Sequence, residues 1–156
     1  MEAKLKAVVA GREPPADVEV NYVVFGGVDH RVDKRLRILS DGSVKYATIG
    51  DDLAEPPEEE GEYTLKLSEG EVVELLRLFD KNGFLRMEPG GKLEPDSVYS
   101  EICLKIGEDE KCVYYYHEEY MQKRYGMEKP QGYRRIEEKL AEIIERAKAH
   151  RRASIA

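Results

Sequence analysis

The chain of 156 residues has no tryptophan, two cysteines, three histidines and four side-chain amides, Asn21, Asn82, Gln122 and Gln131. Two cysteines are too few for a disulfide scaffold. His30, His117 and His150 have no zinc-like spacing to one another or to a cysteine pair, so neither a metal nor a cofactor is expected. No apolar run approaches the ~20 residues of a membrane-spanning helix. The first ten residues lack the apolar core of a secretory signal, which makes a cytoplasmic location the expectation. Around Gly90-Gly91-Lys92 the phosphate-loop pattern fails twice, because position 86 is Arg and position 93 is Leu. A G-x-S-x-G nucleophile elbow is also absent.

Charge is what the chain has in quantity. Asp, Glu, Lys and Arg make up 37% of it, against about a quarter in ordinary domains. Few amides with abundant Glu, Lys and Arg is the composition of heat-adapted proteins, so a thermophilic protein is expected. The net charge of −7 argues against a general nucleic-acid binder, which needs a basic face. The exception is the last eleven positions, where Arg146, Lys148, Arg151 and Arg152 occur with no acid among them. Basic residues there complement a helix dipole; the alternative is an RNA-contacting tail.

The pattern of residues predicts one α+β domain over 18–151, preceded by a polar lead-in (1–17) that forms a short helical turn or a loose segment, and followed by a short tail (152–156). Its fold is an antiparallel sheet of about five to seven strands with two helices on one face. Strands are predicted at 18–25, 31–39, 43–49 and 62–67, where β-branched and aromatic residues cluster or alternate. For the hairpin at Ser40-Asp41-Gly42, a three-residue loop with Gly42 left-handed pairs Ile38 with Val44 and Leu36 with Tyr46. That choice places Arg35, Arg37 and Lys45 together on the solvent face, and a slip of one residue would reverse every side chain. Residues 50–61 read as a solvated acidic loop, without the spacing or central glycine of an EF-hand. Ser68 and Glu71 form a capping box ahead of Val72, Leu75, Leu76 and Phe79 at helical spacing, and Asn82-Gly83 ends that helix. A second hairpin is predicted from 98–106 and 111–116, and a closing helix over 133–151 with Tyr133, Ile136, Leu140, Ile143, Ile144 and Ala147 on its apolar face.

Two groups of residues invite a chemical reading. If Ile106 pairs with Cys112, Cys103 faces Tyr115 and His117 lies diagonally beside Cys103, the minimum for an activated thiolate. A shift of one residue would instead put Cys103 and Cys112 on one face, where a disulfide becomes feasible for a hyperthermophile. Seven of the ten tyrosines lie between Tyr99 and Tyr133. Tyrosine is amphipathic and enriched in interfaces, so Tyr114, Tyr115, Tyr120 and Tyr125 are candidate binding residues, together with the loop Gly26, Gly27, Asp29 and His30. A sheet whose aromatic residues cap the core edge is the other reading.

The order of features over residues 18–147 resembles a small uncharacterised domain found in bacterial lipoproteins. Its marks here are a strand ending in Phe25-Gly26-Gly27 and the D-G-x-V-x-Y hairpin at 41–46. A Gly-x-Tyr strand and a helix ending in Gly-Phe follow at 61–84, then a G-x-x-x-K-x-V hairpin at 107–113. Val28-Asp29 stand where that domain has Cys-Pro. Gly26-Gly27 and Pro95-Asp96 followed by Tyr99 are also similar to the emfourins, small inhibitors of thermolysin-like metallopeptidases. Both resemblances imply a compact domain that acts through its surface. The leading expectation is therefore a non-catalytic protein-binding or inhibitory module. The alternatives are a ribonucleoprotein accessory using the basic tail and a small enzyme using Cys103 and His117.

Overall fold

The computed structural model describes residues 1–27, 31–51, 54, 56–88, 97–116 and 129–155, the side chains of 153–155 excepted. Six strands form one antiparallel sheet: β1 (Val18–Gly26), β2 (Val32–Leu39), β3 (Ser43–Thr48), β4 (Gly61–Lys66), β5 (Val98–Ile106) and β6 (Asp109–Tyr116), in the order β4-β3-β2-β1-β5-β6. Helices α1 (Glu2–Val9), α2 (Glu69–Lys81) and α3 (Gln131–Ile155) accompany it. The α+β antiparallel architecture is the expected one, with three α-helices among the described residues in place of two.

Strand alternation builds the core. Val18, Val20, Tyr22 and Val24 of β1 point to one face with Leu36, Ile38, Val44, Tyr46, Ile102, Leu104 and Val113, and all are buried. Against them lie Val72, Leu75, Leu76 and Phe79 of α2 and Tyr133, Ile136, Leu140 and Ile143 of α3. The β2–β3 register pairs Ile38 with Val44 and Leu36 with Tyr46, and Gly42 has φ +89°, as the three-residue loop requires. A Cβ at Gly42 would stand 2.1 Å from the Leu67 carbonyl oxygen, so no other residue fits that turn. The capping box is present: Ser68 Oγ accepts from Glu71 N and Glu71 Oε1 accepts from Ser68 N, both at 3.2 Å.

The polar lead-in, expected as a short helical turn or a loose segment, holds helix α1. Leu5 and Val8 are buried in the core, and the helix packs on α2. A helix of eight residues does not persist alone; tertiary contacts hold this one. Lys6 pairs with Asp80 at 3.1 Å, Glu2 pairs with Arg86 at 3.1 Å, and the Arg77 guanidinium donates to the Val9 carbonyl at 3.1 Å, satisfying one of the free acceptors at the helix end.

A layer of buried polar groups lies between α3 and the sheet. Glu137 accepts from Tyr22 Oη at 2.8 Å and from Lys129 Nζ at 2.7 Å. Ser100 and Tyr133 share a hydrogen bond of 2.8 Å. Further along α3, Lys148 pairs with Glu58, whose carboxylate also accepts from Tyr46 Oη at 3.0 Å. Glu58 reaches this position because its backbone and that of Asp51 exchange hydrogen bonds of 2.7 and 2.9 Å, closing the loop across its base. Far from being solvated, this member of the acidic loop is a buried anchor. No buried side-chain nitrogen or oxygen among the described residues lacks a partner.

Burial opposes ionisation of Glu58, but the hydrogen bonds of Lys148 and Thr48, together with the charges of Lys148 and Lys34, outweigh it and hold the carboxyl below its ordinary value. Burial lowers Lys148, and Glu58 more than reverses this, leaving the ammonium raised. The carboxylate contribution is therefore present above the unfolded pKa of about 4.3 and fades as pH falls through the folded value. The ammonium contribution is present below about 10.4 and fades as pH rises through its own folded value. Lys148→Met should cost about 3 kcal/mol at neutral pH, because it strands a buried carboxylate, and Glu58→Gln in the same chain should restore most of that loss. Denaturant titrations at pH 7 and pH 3 would check this: the penalty of the single variant must shrink at the lower pH.

Candidate functional site

The two ends of the sheet differ. At one end β2 and β3 are joined by residues 40–42, and β5 and β6 by residues 107–108. At the other end emerge the connections 27–31, 49–60, 88–97 and 117–130.

The two faces differ as well. The inner face is covered by helices, while the outer face presents rows of side chains that the registers define. Phe25 stands beside Tyr99, and Tyr99 beside Tyr116. The next row runs Arg35, Val23, Glu101, Tyr114, and the one after it Arg37, Asn21, Cys103, Cys112. The Phe25 and Tyr99 rings meet edge to face with centroids 3.9 Å apart. Phe25, Val23, Tyr99 and Tyr114 are half-buried and Tyr116 is buried. Toward β3 and β4 the same face becomes charged, with Arg37 on Glu19 at 2.6 Å and Lys45 on Glu62 at 3.3 Å. An aromatic patch therefore sits at the long-connection end, bordered by paired charges. Burial, with the nearby Glu110 charge, raises the Glu101 carboxyl above its ordinary value, and burial, with Glu101, raises Tyr99.

The expected site residues separate on this surface. Tyr114 lies on the outer face. Tyr115 turns inward, packs on Tyr133 with ring centroids 4.8 Å apart, and donates to the Glu88 carbonyl at 2.8 Å; it belongs to the core. Gly26, at φ +126°, lies so close to β5 that a Cβ would stand 2.3 Å from the Ser97 carbonyl oxygen, and Gly27 has φ +90°. These glycines let β1 end flush against β5, directly after Phe25. Asp29, His30, Tyr120 and Tyr125 lie outside the described residues.

The reading of Cys103 as an activated thiolate is corrected. The β5–β6 turn has two residues, Gly107 at φ +62° and Glu108, so that Ile106 pairs with Asp109 and not with Cys112. Glycine at the first position suits a two-residue hairpin turn. The register thus moves by three residues, an odd number, and the cysteines arrive on the same face. Cys103 stands directly opposite Cys112, and the two are joined as a disulfide. Among the described residues no cysteine is free, and His117 lies outside them.

The basic residues of α3 are engaged within the chain. Arg146 pairs with Glu71 at 2.6 Å, Lys148 with Glu58, and Arg151 donates to the Glu62 carbonyl at 2.9 Å while lying 5.0 Å over the Tyr63 ring. Arg152 Nε donates to the Lys148 carbonyl at 3.4 Å. A cleft of about 570 Å³ next to them carries Lys34, Lys148, Arg151 and Arg152 together with Glu58, Glu59, Glu60 and Glu145. Its charges are of both signs and partly paired, which suits no single anion.

No protein family and no curated protein matches the chain in sequence.

The opposite placement of adjacent tyrosines yields a direct check. Tyr115→Ala should lower unfolding stability by about 3 kcal/mol, as for a buried aromatic residue. Tyr114→Ala should change it by about 1 kcal/mol or less. Equal losses in thermal or urea unfolding would contradict the assignment of faces.

Proposed function

We propose that the chain is a non-catalytic protein-binding or inhibitory module, acting through the outer sheet face at its long-connection end. The observation that carries this reading is the cluster of Phe25, Tyr99 and Tyr114, half-buried aromatic side chains on the outer face of the sheet. Aromatic side chains contribute large contact areas with little entropy to lose, and they dominate the energetic centres of protein interfaces. The flanking ion pairs suit a polar rim. A protein partner is favoured over RNA by the net charge of −7 and by the internal engagement of Arg146, Lys148 and Arg151. The resemblance to emfourins favours an inhibitory form of the same role.

The reading extends to a heat-adapted cytoplasmic protein. Charge-rich composition supports it, as do pairs such as Lys6–Asp80 and Arg146–Glu71, which join separate helices. The disulfide fits this reading because intracellular bridges occur in hyperthermophiles. No helix among the described residues is long and apolar enough to cross a membrane.

Affinity capture from native lysate with wild type, Tyr99→Ala and Tyr114→Ala tests the reading. A stoichiometric protein should survive nuclease and high salt, and each variant should weaken its binding by about tenfold, or 1.4 kcal/mol. Retention unchanged in both variants, or capture lost on nuclease treatment, would rule out the proposed surface.

A further inference from the structure

Cys103 and Cys112 are nine residues apart in sequence, a spacing that carries no metal-binding signature. The two-residue turn changes what they can do. It sets them directly across β5 and β6, with Cα atoms 4.1 Å apart, close to the ~4.5 Å of the antiparallel pair type whose side chains approach most closely. Glu101, two residues before Cys103, points to the same face. One carboxylate oxygen of Glu101 and the two Sγ atoms all lie within 4.8 Å of one another. Glu110, two residues before Cys112, brings a carboxylate oxygen to 3.4 Å from the Cys112 sulfur. Lys105 stands opposite Glu110 in register and is the neighbouring cation on this face. The cysteines and Glu101 are half-buried, so the cluster is neither sealed in the core nor fully in water.

We propose that these residues form a redox-gated site for a thiophilic divalent cation of the zinc class, with Cys103, Cys112 and Glu101 as ligands. In the oxidised chain the sulfurs are bonded to each other and the site is closed. A thiol reductant opens it: its thiolate attacks one cysteine sulfur, the Cys103–Cys112 bond breaks to leave a mixed disulfide, and a second reductant thiolate attacks the reductant sulfur of that mixed disulfide and expels the protein cysteine as a thiolate. Two electrons pass to the protein, the reductant leaves as its own disulfide, and the chain holds two cysteine thiols. Cation binding then releases two protons to solvent as both sulfurs become thiolates.

The geometry suits that ion. Tetrahedral zinc with sulfur ligands at ~2.3 Å holds them about 3.8 Å apart, a separation that side chains directly opposite on two strands reach with the backbone in place. Thiolate and carboxylate donors are both zinc ligands, and paired strands position them more firmly than loops do. Charge points the same way. Glu101 and Glu110 flank the sulfurs with like charge, and a dithiolate formed between them needs a cation to be stable. The inference does not depend on the protein-binding reading, since neither Tyr99 nor Tyr114 is a ligand.

Cobalt(II) titration of the full chain, reduced with a phosphine under anaerobic conditions, tests it. The reduced protein should take up one equivalent with a near-ultraviolet sulfur-to-cobalt charge-transfer band and tetrahedral visible bands, and zinc should displace it. The oxidised protein should show neither band. Cys103→Ser and Cys112→Ser should each abolish the charge-transfer band or leave a far weaker complex. Glu101→Gln, which keeps both thiols, should weaken binding by about tenfold or more, the scale of losing a metal-site partner. Near-ultraviolet circular dichroism of the reduced chain monitors the fold in parallel. A folded reduced protein with two titratable thiols and no charge-transfer band would overturn the site. So would unfolding on reduction, because the ligands converge only on paired strands, and so would unchanged affinity in Glu101→Gln.

Discussion

Helix α3 lies on the sheet under one constraint: each charged group it carries into that interface must meet a partner there. Glu137 and Lys148 sit on the side of the helix that also carries Tyr133, Ile136, Leu140 and Ile144. An unpaired charge at such a position would cost several kcal/mol. Tyr22 and Lys129 answer Glu137, and Glu58 and Glu145 answer Lys148. These contacts are directional, so they determine where along the sheet the helix sits, whereas apolar packing alone would tolerate a slide. They also recruit the rest of the structure. Glu58 brings the loop after β3 inward, and Arg146 on Glu71 ties the same helix to the capping box of α2.

With the inner face committed to this packing, the outer face is where the molecule differs from a generic α+β domain. Its composition changes from strand to strand. Across β2 to β4 it is a lattice of exposed ion pairs, each worth little by itself. Across β1, β5 and β6 it is aromatic near the long connections and carries the cysteine pair in the middle. The antiparallel pairing makes these rows continuous, so that Phe25, Tyr99 and Tyr116 form a line although they are far apart in the chain.

The cysteine pair and the aromatic row share β5 and β6. Oxidised, the bridge adds a covalent tie to the last two strands of the sheet and presents no charge. In the reduced, metal-bound form the same place would carry a divalent ion between two carboxylates, one row from Tyr114. The surface proposed to meet a partner would then differ in charge between the two redox states, through groups that all belong to the sheet.

Local signals in the sequence were sufficient wherever short-range chemistry decided the outcome. The Ser68–Glu71 capping box, the apolar faces of α2 and α3, and the register around Gly42 all rest on residues within a few positions of one another. At helix α1 only a short helical turn or a loose segment was legible, since two buried residues, Leu5 and Val8, carry it and α2 supplies most of its support. Nor was the role of Glu58, which in sequence is one acid among six between Gly50 and Gly61 and is distinguished only by a bridge to Asp51 that turns it toward Lys148. The β5–β6 turn shows the boundary most clearly. Charged Asp109 and Glu110 read as loop, yet they extend the strand, and moving the turn by three residues reversed the face on which Cys112 lies. By itself the sequence determined the class of fold, the register around Gly42 and two of the three helices among the described residues, because those depend on periodicity, turn chemistry and capping. The tertiary structure alone decided which charges are buried, which tyrosine faces out and that the two cysteines meet, because each depends on the register between segments distant in the chain, where one residue changes the face.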